Sequence, residues 1–251
     1  MLYNIAAIIA GFLLLVWSAD RFICGAAATA RNLNISPLII GLTIVAFGTS
    51  APELIVSAVA AFRGNPGLAV GNAIGSTIAN IGLILGVTAA IYPLRVESET
   101  LKREYPVLML IMIGSFIMAA DLVYDRTEGW LLLFGLLALV IWMVRFGMRR
   151  DTEDPLAQEF EAEIPRDMPT GYAVLWMAVG LIVLPLSSSF LVDGAVFIAR
   201  SLHVSEAVIG LTIIALGTSL PELAAALTSA LRQEDDLAIG NVIGSNMFNI
   251  L

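Results

Sequence analysis

Long apolar runs separated by short polar breaks cover almost the whole of this 251-residue chain. The runs at about 2–23, 36–62, 68–92, 105–120, 127–146, 171–199 and 205–231 predict seven helical spans, since each is near the ~18–20 apolar residues that cross a bilayer. An eighth run starts near residue 237 and stops at Leu251. Ser36 and Pro37 predict the start of the second span, as a cap followed by Pro in the first helical turn. Arg-Gly-Asn-Pro-Gly at 63–67 is a turn, residues 95–104 a charged loop, and 121–126 a short one. No alternation of the kind a β-barrel needs is visible. The first basic residue, Arg21, comes only near the end of the first apolar run, so that run reads as a permanent span and not as a signal peptide.

Composition agrees with an all-α polytopic membrane protein: 59% of residues are hydrophobic and 14% charged, against about 25% charged in soluble domains. Cys24 is the only cysteine, which excludes an internal disulfide and argues against a thiolate metal cluster. The net charge of −8 is concentrated in one connector, residues 151–167, with seven acids and one Arg. That balance argues against a nucleic-acid partner; the partner that composition itself implies is the lipid bilayer.

The chain repeats itself. Residues 41–81 recur as 210–250 at an offset of 169 without a gap, with 22 of 41 positions identical. So long a period means a duplicated half-protein and not a solenoid. The chain divides into a first five-helix half (1–150), an acidic connector (151–169) and a second half (170–251). With the N-terminus outside, ten of the 13 basic residues fall on the cytoplasmic side, as the positive-inside rule asks. The second span then runs inside to outside and its copy, the seventh, outside to inside. Inverted repeats with interrupted helices are the architecture of many secondary transporters. By the offset, segments matching residues 83–150 are expected after Leu251, giving a natural form of about ten helices against about seven and a half here.

Each copy holds one acid in an apolar run, Glu53 in GTSAPE and Glu222 in GTSLPE. Pro at positions 52 and 221 must kink or break its helix, freeing carbonyls around Ala46 and Ala215. Such groups persist at membrane depth only when buried in protein or facing a wet cavity. Thr49 and Glu53 share a helix face, with Ser50 beside it; Thr218, Ser219 and Glu222 repeat the set. Carboxylate, hydroxyl and carbonyl oxygens are ligands for hard cations. In GNAIGSTIAN, Asn72, Ser76 and Asn80 form a polar stripe next to a stripe of glycines that lets another helix approach; Asn241, Ser245 and Asn249 repeat it. No Lys or Arg in these four spans neutralises the acids, so they call for exchangeable cations: one divalent ion, a few monovalent ions, or protons.

GTSAPE with GNAIGSTIAN, and GTSLPE with GNVIGSNMFN, resemble the two α-repeats of the calcium/cation antiporter superfamily, most of all its bacterial sodium/calcium exchangers. The resemblance implies an inverted-repeat transporter of ten helices in the bacterial inner membrane. Its first and sixth spans would slide over a rigid core. Carried over by position, the ion ligands would be Glu53, Glu222, Thr49, Thr218, Ser50, Ser219, Ser76, Ser245, Asn80, Asn249 and the carbonyls of Ala46 and Ala215. Some members have Asp at one of the last two stripe positions; here both are amides, which lowers the charge of the site. No cofactor is implied beyond the transported ions, Ca2+ and Na+ or H+. The expected function is Ca2+ export against Na+ entry, with Ca2+/H+ exchange and a cation channel as alternatives. An intramembrane serine protease is disfavoured, since its only His, His203, lies in a loop. Asp20 and Asp193, near the ends of the first and sixth spans, are either helix-end groups or residues that affect ion access. Asn72 and Asn241 are read as structural.

Overall fold

The computed structural model describes residues 2–35, 40–95, 98–147, 159, 161, 164 and 167–251. Among these residues the regular structure is all helical, with no strand. Helix α1 spans Leu2–Asn32. A π-helical turn, Ile40–Val45, leads into α2 (Ala46–Thr49) and α3 (Ala51–Phe62). Then come α4 (Pro66–Ala79), a second π-turn at Asn80–Leu85, and α5 (Gly86–Ile91). Helices α6 (Glu99–Met118) and α7 (Arg126–Gly147) close the first half. The second half holds α8 (Thr170–Leu202), α9 (Glu206–Ile209), a π-turn at Gly210–Ile214, α10 (Ala215–Thr218), α11 (Leu220–Leu231) and α12 (Asp235–Ile250). Among the described residues, six helices or runs of helices are long and apolar enough to cross a membrane.

Several expectations shift. The predicted start at Ser36–Pro37 lies outside the described residues. The loop expected at 95–104 is helical from Glu99, because the Ser98 hydroxyl accepts from the Leu101 N–H (3.4 Å) and so caps the first turn. The acidic connector touches the bundle where it is described. Glu159 accepts from the Leu237 N–H at 2.5 Å, supplying a partner that the first turn of α12 lacks. Arg31 donates to the Ile164 carbonyl (3.2 Å) and pairs with Glu161 (3.8 Å).

The repeats are inverted in space. Gly67 lies beside Ala207, Gly71 against Ala207 and Leu211, and Gly75 against Leu211 and Ala215, so α4 and the α9–α10 run point the same way. Since α3 and α4 form a hairpin about the turn at 63–65, α3 and its copy α11 point in opposite directions. Helices α1 and α8, also copies, are antiparallel: Gly11 meets Ser187 and Leu191, Gly25 meets Ala173 and Met177. A Cβ at Gly25 would fall 2.5 Å from the Ala173 carbonyl oxygen, a backbone atom that cannot move aside. Left-handed backbone recurs at the same offset, at Asn34 and His203 (φ 60° and 55°) and at Gly64 and Gln233 (φ 76° and 65°). His203 therefore ends α8 as Asn34 follows α1.

Two apolar clusters hold the halves together. One joins Leu15 and Ala19 of α1, Leu184 and Leu191 of α8, and Ala51, Val56, Leu68, Ile209 and Ile214. The other packs α6 and α7 on α12 through Leu101, Leu108, Leu139, Met143, Met247 and Phe248. This cover is one-sided: Ile239, Ile243 and Met247 are at most 9% exposed, while their counterparts Val70, Ile74 and Ile78 are 39–59% exposed.

Candidate ion-binding site

The helices that carry the repeated motifs break where Pro requires it. Ser50 (φ −84°, ψ 0°) and Ser219 (φ −87°, ψ 3°) sit in the bridge region between the two pieces of each helix. Pro52 and Pro221 have no N–H for the carbonyls of Gly48 and Gly217. The Ala46 carbonyl, expected free, accepts from the Thr49 hydroxyl (3.0 Å) and from the Ser50 N–H (3.4 Å). The Ala215 carbonyl accepts from Thr218 (3.2 Å) and Ser219 N–H (3.0 Å).

The two motifs meet. The Ser219 hydroxyl donates to Glu53 Oε1 at 3.1 Å, and Ser219 lies one turn before Glu222. That contact brings the helix break before Glu222 directly onto the Glu53 carboxyl group. Both acids are buried, at 2% and 0% exposure. Holding a carboxylate at bilayer depth costs about 2.5–3.5 kcal/mol on insertion scales. No Lys or Arg occurs within 40–62, 66–91, 206–231 or 235–250 to offset that cost.

The stripes flank the acids as counterparts of each other. The Thr49 hydroxyl reaches Asn241 Oδ1 (2.9 Å) and lies 3.4 Å from Ser245 Oγ. Thr218 reaches Asn72 Oδ1 at 3.4 Å. Asn72 donates to the Glu53 carbonyl (3.1 Å) and to Ser57 (3.0 Å), bracing the helix beyond the break.

Many polar atoms of the motif residues are buried without a hydrogen-bond partner: Ser50 Oγ, Glu53 Oε2, Ser76 Oγ, Asn80 Oδ1, both oxygens of Glu222, and the Asn249 amide. Buried polar groups in folded proteins are nearly always satisfied. A group of orphaned oxygens beside two carboxylates, with no cationic side chain in these helices, has the donor chemistry of a hard-cation site. Asn249 is placed differently from Asn80. It borders a cavity lined by Ala69, Ala73 and Ile74 of α4, whereas Asn80 donates to Asn246 Oδ1 at 3.0 Å. Asn246, buried with an unpartnered Nδ2, is the residue that motif reasoning missed. It lies beside the repeated stripe, and its counterpart is Thr77, so the repeat does not flag it.

The sodium/calcium exchanger protein family model matches residues 3–145 and 172–251. The chain belongs to the sodium/calcium exchanger family. Among its relatives, CaxA of Alkalimonas amylolytica is 53% identical over the whole chain and 79% of its own length. Inner membrane protein YrbG of Escherichia coli (strain K12) is 42% identical, with 78% of its length covered. A solved structure of the sodium-calcium exchanger NCX_Mj superposes with a TM-score of 0.64 at 34% identity, over 100% of this chain and 79% of that one. Membership of the exchanger family makes the chain a transporter and not an enzyme, and the all-helical inverted-repeat fold is the exchanger fold.

Proposed function

We propose that this protein is a secondary active antiporter that exports Ca2+ in exchange for Na+ by alternating access. The observation that carries the reading is the buried centre in which Glu53 and Glu222, from oppositely directed helices, lie among orphaned hydroxyl and amide oxygens. Family membership and the likeness to NCX_Mj support cation/Ca2+ antiport. Sodium as the counter-ion is favoured by the neutral oxygens around the acids. Hydroxyl, amide and carbonyl groups ligate Na+ but take up no proton, and they outnumber the two carboxylates.

In this reading Glu53 and Glu222 supply the charge and bind Ca2+ from both sides. Ser50, Thr49, Ser219 and Thr218 complete the shell, and Ser76, Asn80 and Ser245 supply the remaining oxygens; the Ala46 and Ala215 carbonyls, each already accepting two hydrogen bonds, and Asn249, which borders the α4 cavity, join it only by rearrangement. Na+ ions compete for the same ligands, so Ca2+ leaves one face only when Na+ replaces it. The N-terminus lies outside and the connector in the cytoplasm of a bacterial inner membrane, as the distribution of basic residues favours.

The test is Ca2+ uptake into vesicles under separate Na+ and H+ gradients. Uptake that follows the Na+ gradient supports the proposal. Uptake that ignores Na+ and follows a proton gradient replaces it with Ca2+/H+ exchange, since both acids can also carry protons. A voltage-driven current without countertransport would make the protein a channel.

A further inference from the structure

Arg63 ends the first motif hairpin, in the turn between α3 and α4. Its guanidinium donates to the Asp193 carboxylate and, at 3.4 Å, to the Ser189 carbonyl, both on α8. This contact ties the α1–α8 pair to the helices of the candidate site. The neighbouring contacts are apolar: Ile23 lies on Gly48 and Phe12 on Gly217. The pair also sits lopsidedly on the site helices. Helix α8 packs along α3, whereas α1 packs along the π-turn at Ile40–Val45 and along α2.

In a molecule built of two inverted copies, the arrangement with the roles of the copies exchanged is made of the same kinds of contact. The offset of 169 converts each contact into its counterpart. Arg63 becomes Arg232, which closes the hairpin between α11 and α12 at the opposite end of the bundle. Ser189 becomes Asp20, and Asp193 becomes Cys24, both on α1. The carboxylate is therefore kept, but one helical turn earlier. Residues 20 and 24 share a face, with Cys24 Sγ 3.9 Å from Asp20 Oδ1. In this structure Asp20 pairs with its neighbour Arg21 at 3.7 Å.

We infer that Asp20 and Arg232 form a second latch, closed when α1 and α8 have exchanged their positions on the site helices, and that the Arg63–Asp193 latch is open in that state. The two latches sit at opposite ends of the bundle and hold the two orientations of an alternating-access cycle, the reading on which this inference rests. The closed latch is partly exposed, with side chains 37% and 65% accessible. Such pairs are weak, biasing an equilibrium by up to about fivefold, which suits a contact that must open on every turnover.

Cross-linking tests this without any ion flux. In a Cys24→Ser background, one pair is Arg63→Cys with Asp193→Cys and the other is Asp20→Cys with Arg232→Cys. Each is treated in membranes with a short bis-maleimide and read by peptide mass. Both cross-links are expected, and in the four-cysteine protein the first should exclude the second from the same molecule. A 20–232 cross-link that never forms, or one that coexists with 63–193 in single molecules, overturns the inference. In vesicles, Arg232→Asp should slow Ca2+ exchange about fivefold, and Asp20→Arg added to it should restore the rate; no restoration also counts against the latch. If the unsubstituted protein moves no Ca2+, the proposed function fails, while the cross-links still decide the latch.

Discussion

Replacing Glu222 by Gln removes one buried charge and keeps the size of the side chain. Neither Glu222 oxygen has a hydrogen-bond partner, and the residue is fully buried, so the substitution breaks no internal hydrogen bond. The effects have opposite signs with and without ion. Without ion, the cost of a carboxylate at bilayer depth is relieved, stabilising the protein by up to about 3 kcal/mol. With Ca2+, one partner of a buried ion pair is missing, which costs about 3–5 kcal/mol. That is about a 150- to 5,000-fold loss of affinity. Calorimetric titration with Ca2+ reads the second effect. Thermal unfolding with and without Ca2+ reads the first: Glu222→Gln should melt higher than the unsubstituted protein without ion and lose its Ca2+-dependent rise. Unchanged Ca2+ affinity, or a lower melting temperature without ion, would refute the argument that these oxygens await a cation.

Glu159 gives a pH prediction. Burial pushes its carboxyl up to about 7, against the stabilising Leu237 N–H and with the carboxylates of Asp236, Glu234 and Asp235 adding to the rise. A raised carboxyl binds its proton more tightly in the docked state, so docking is firmest below the ordinary carboxylate range and weakens as pH rises through about 7. Hydrogen exchange at the Leu237 amide should therefore be faster at pH 8 than at pH 6 after correction for intrinsic rates, and Glu159→Gln should remove the difference. Gly210→Ala should destabilise by about 1–3 kcal/mol, because the new Cβ would lie 2.4 Å from the Leu68 carbonyl oxygen. Gly82→Ala, with nothing within 4 Å of the new Cβ, should be neutral or stabilising by up to about 1 kcal/mol in the same unfolding assay. Asn72→Ala should cost about 1–3 kcal/mol by leaving the Glu53 carbonyl without its side-chain donor, and should slow transport more than it weakens Ca2+ binding.

Much of the centre was legible because it is written twice. Glu53 and Glu222, the Pro breaks and the Asn–Ser stripes recur at one offset, and the inverted direction of the copies follows from counting spans. What escaped has no local signature. The π-turns before Ala46 and Ala215 add a residue to a helical turn, and apolar membrane sequence gives no sign of that; such turns often sit at functional sites. Asn246 escaped because the copies differ there. Helical structure from Glu99 escaped because Lys102, Arg103 and Glu104 look like loop residues until Ser98 is seen to cap them. The docking of Glu159 on α12 joins residues 78 positions apart, and no periodicity encodes such a contact.

Two identical halves would fill their two exchanged arrangements equally, since symmetry makes these one state viewed from opposite faces. Any resting preference then has to arise where the halves differ. Asn72 bonds to Ser57, whose counterpart is Ala226, and Asn80 bonds to Asn246, whose counterpart is Thr77. A difference of about 1.4 kcal/mol summed over such positions is a tenfold bias in the side on which an empty transporter waits. Divergence between the copies can therefore tune which compartment the carrier samples first while leaving the ligands themselves untouched. A protein that had kept its halves identical would have no such adjustment.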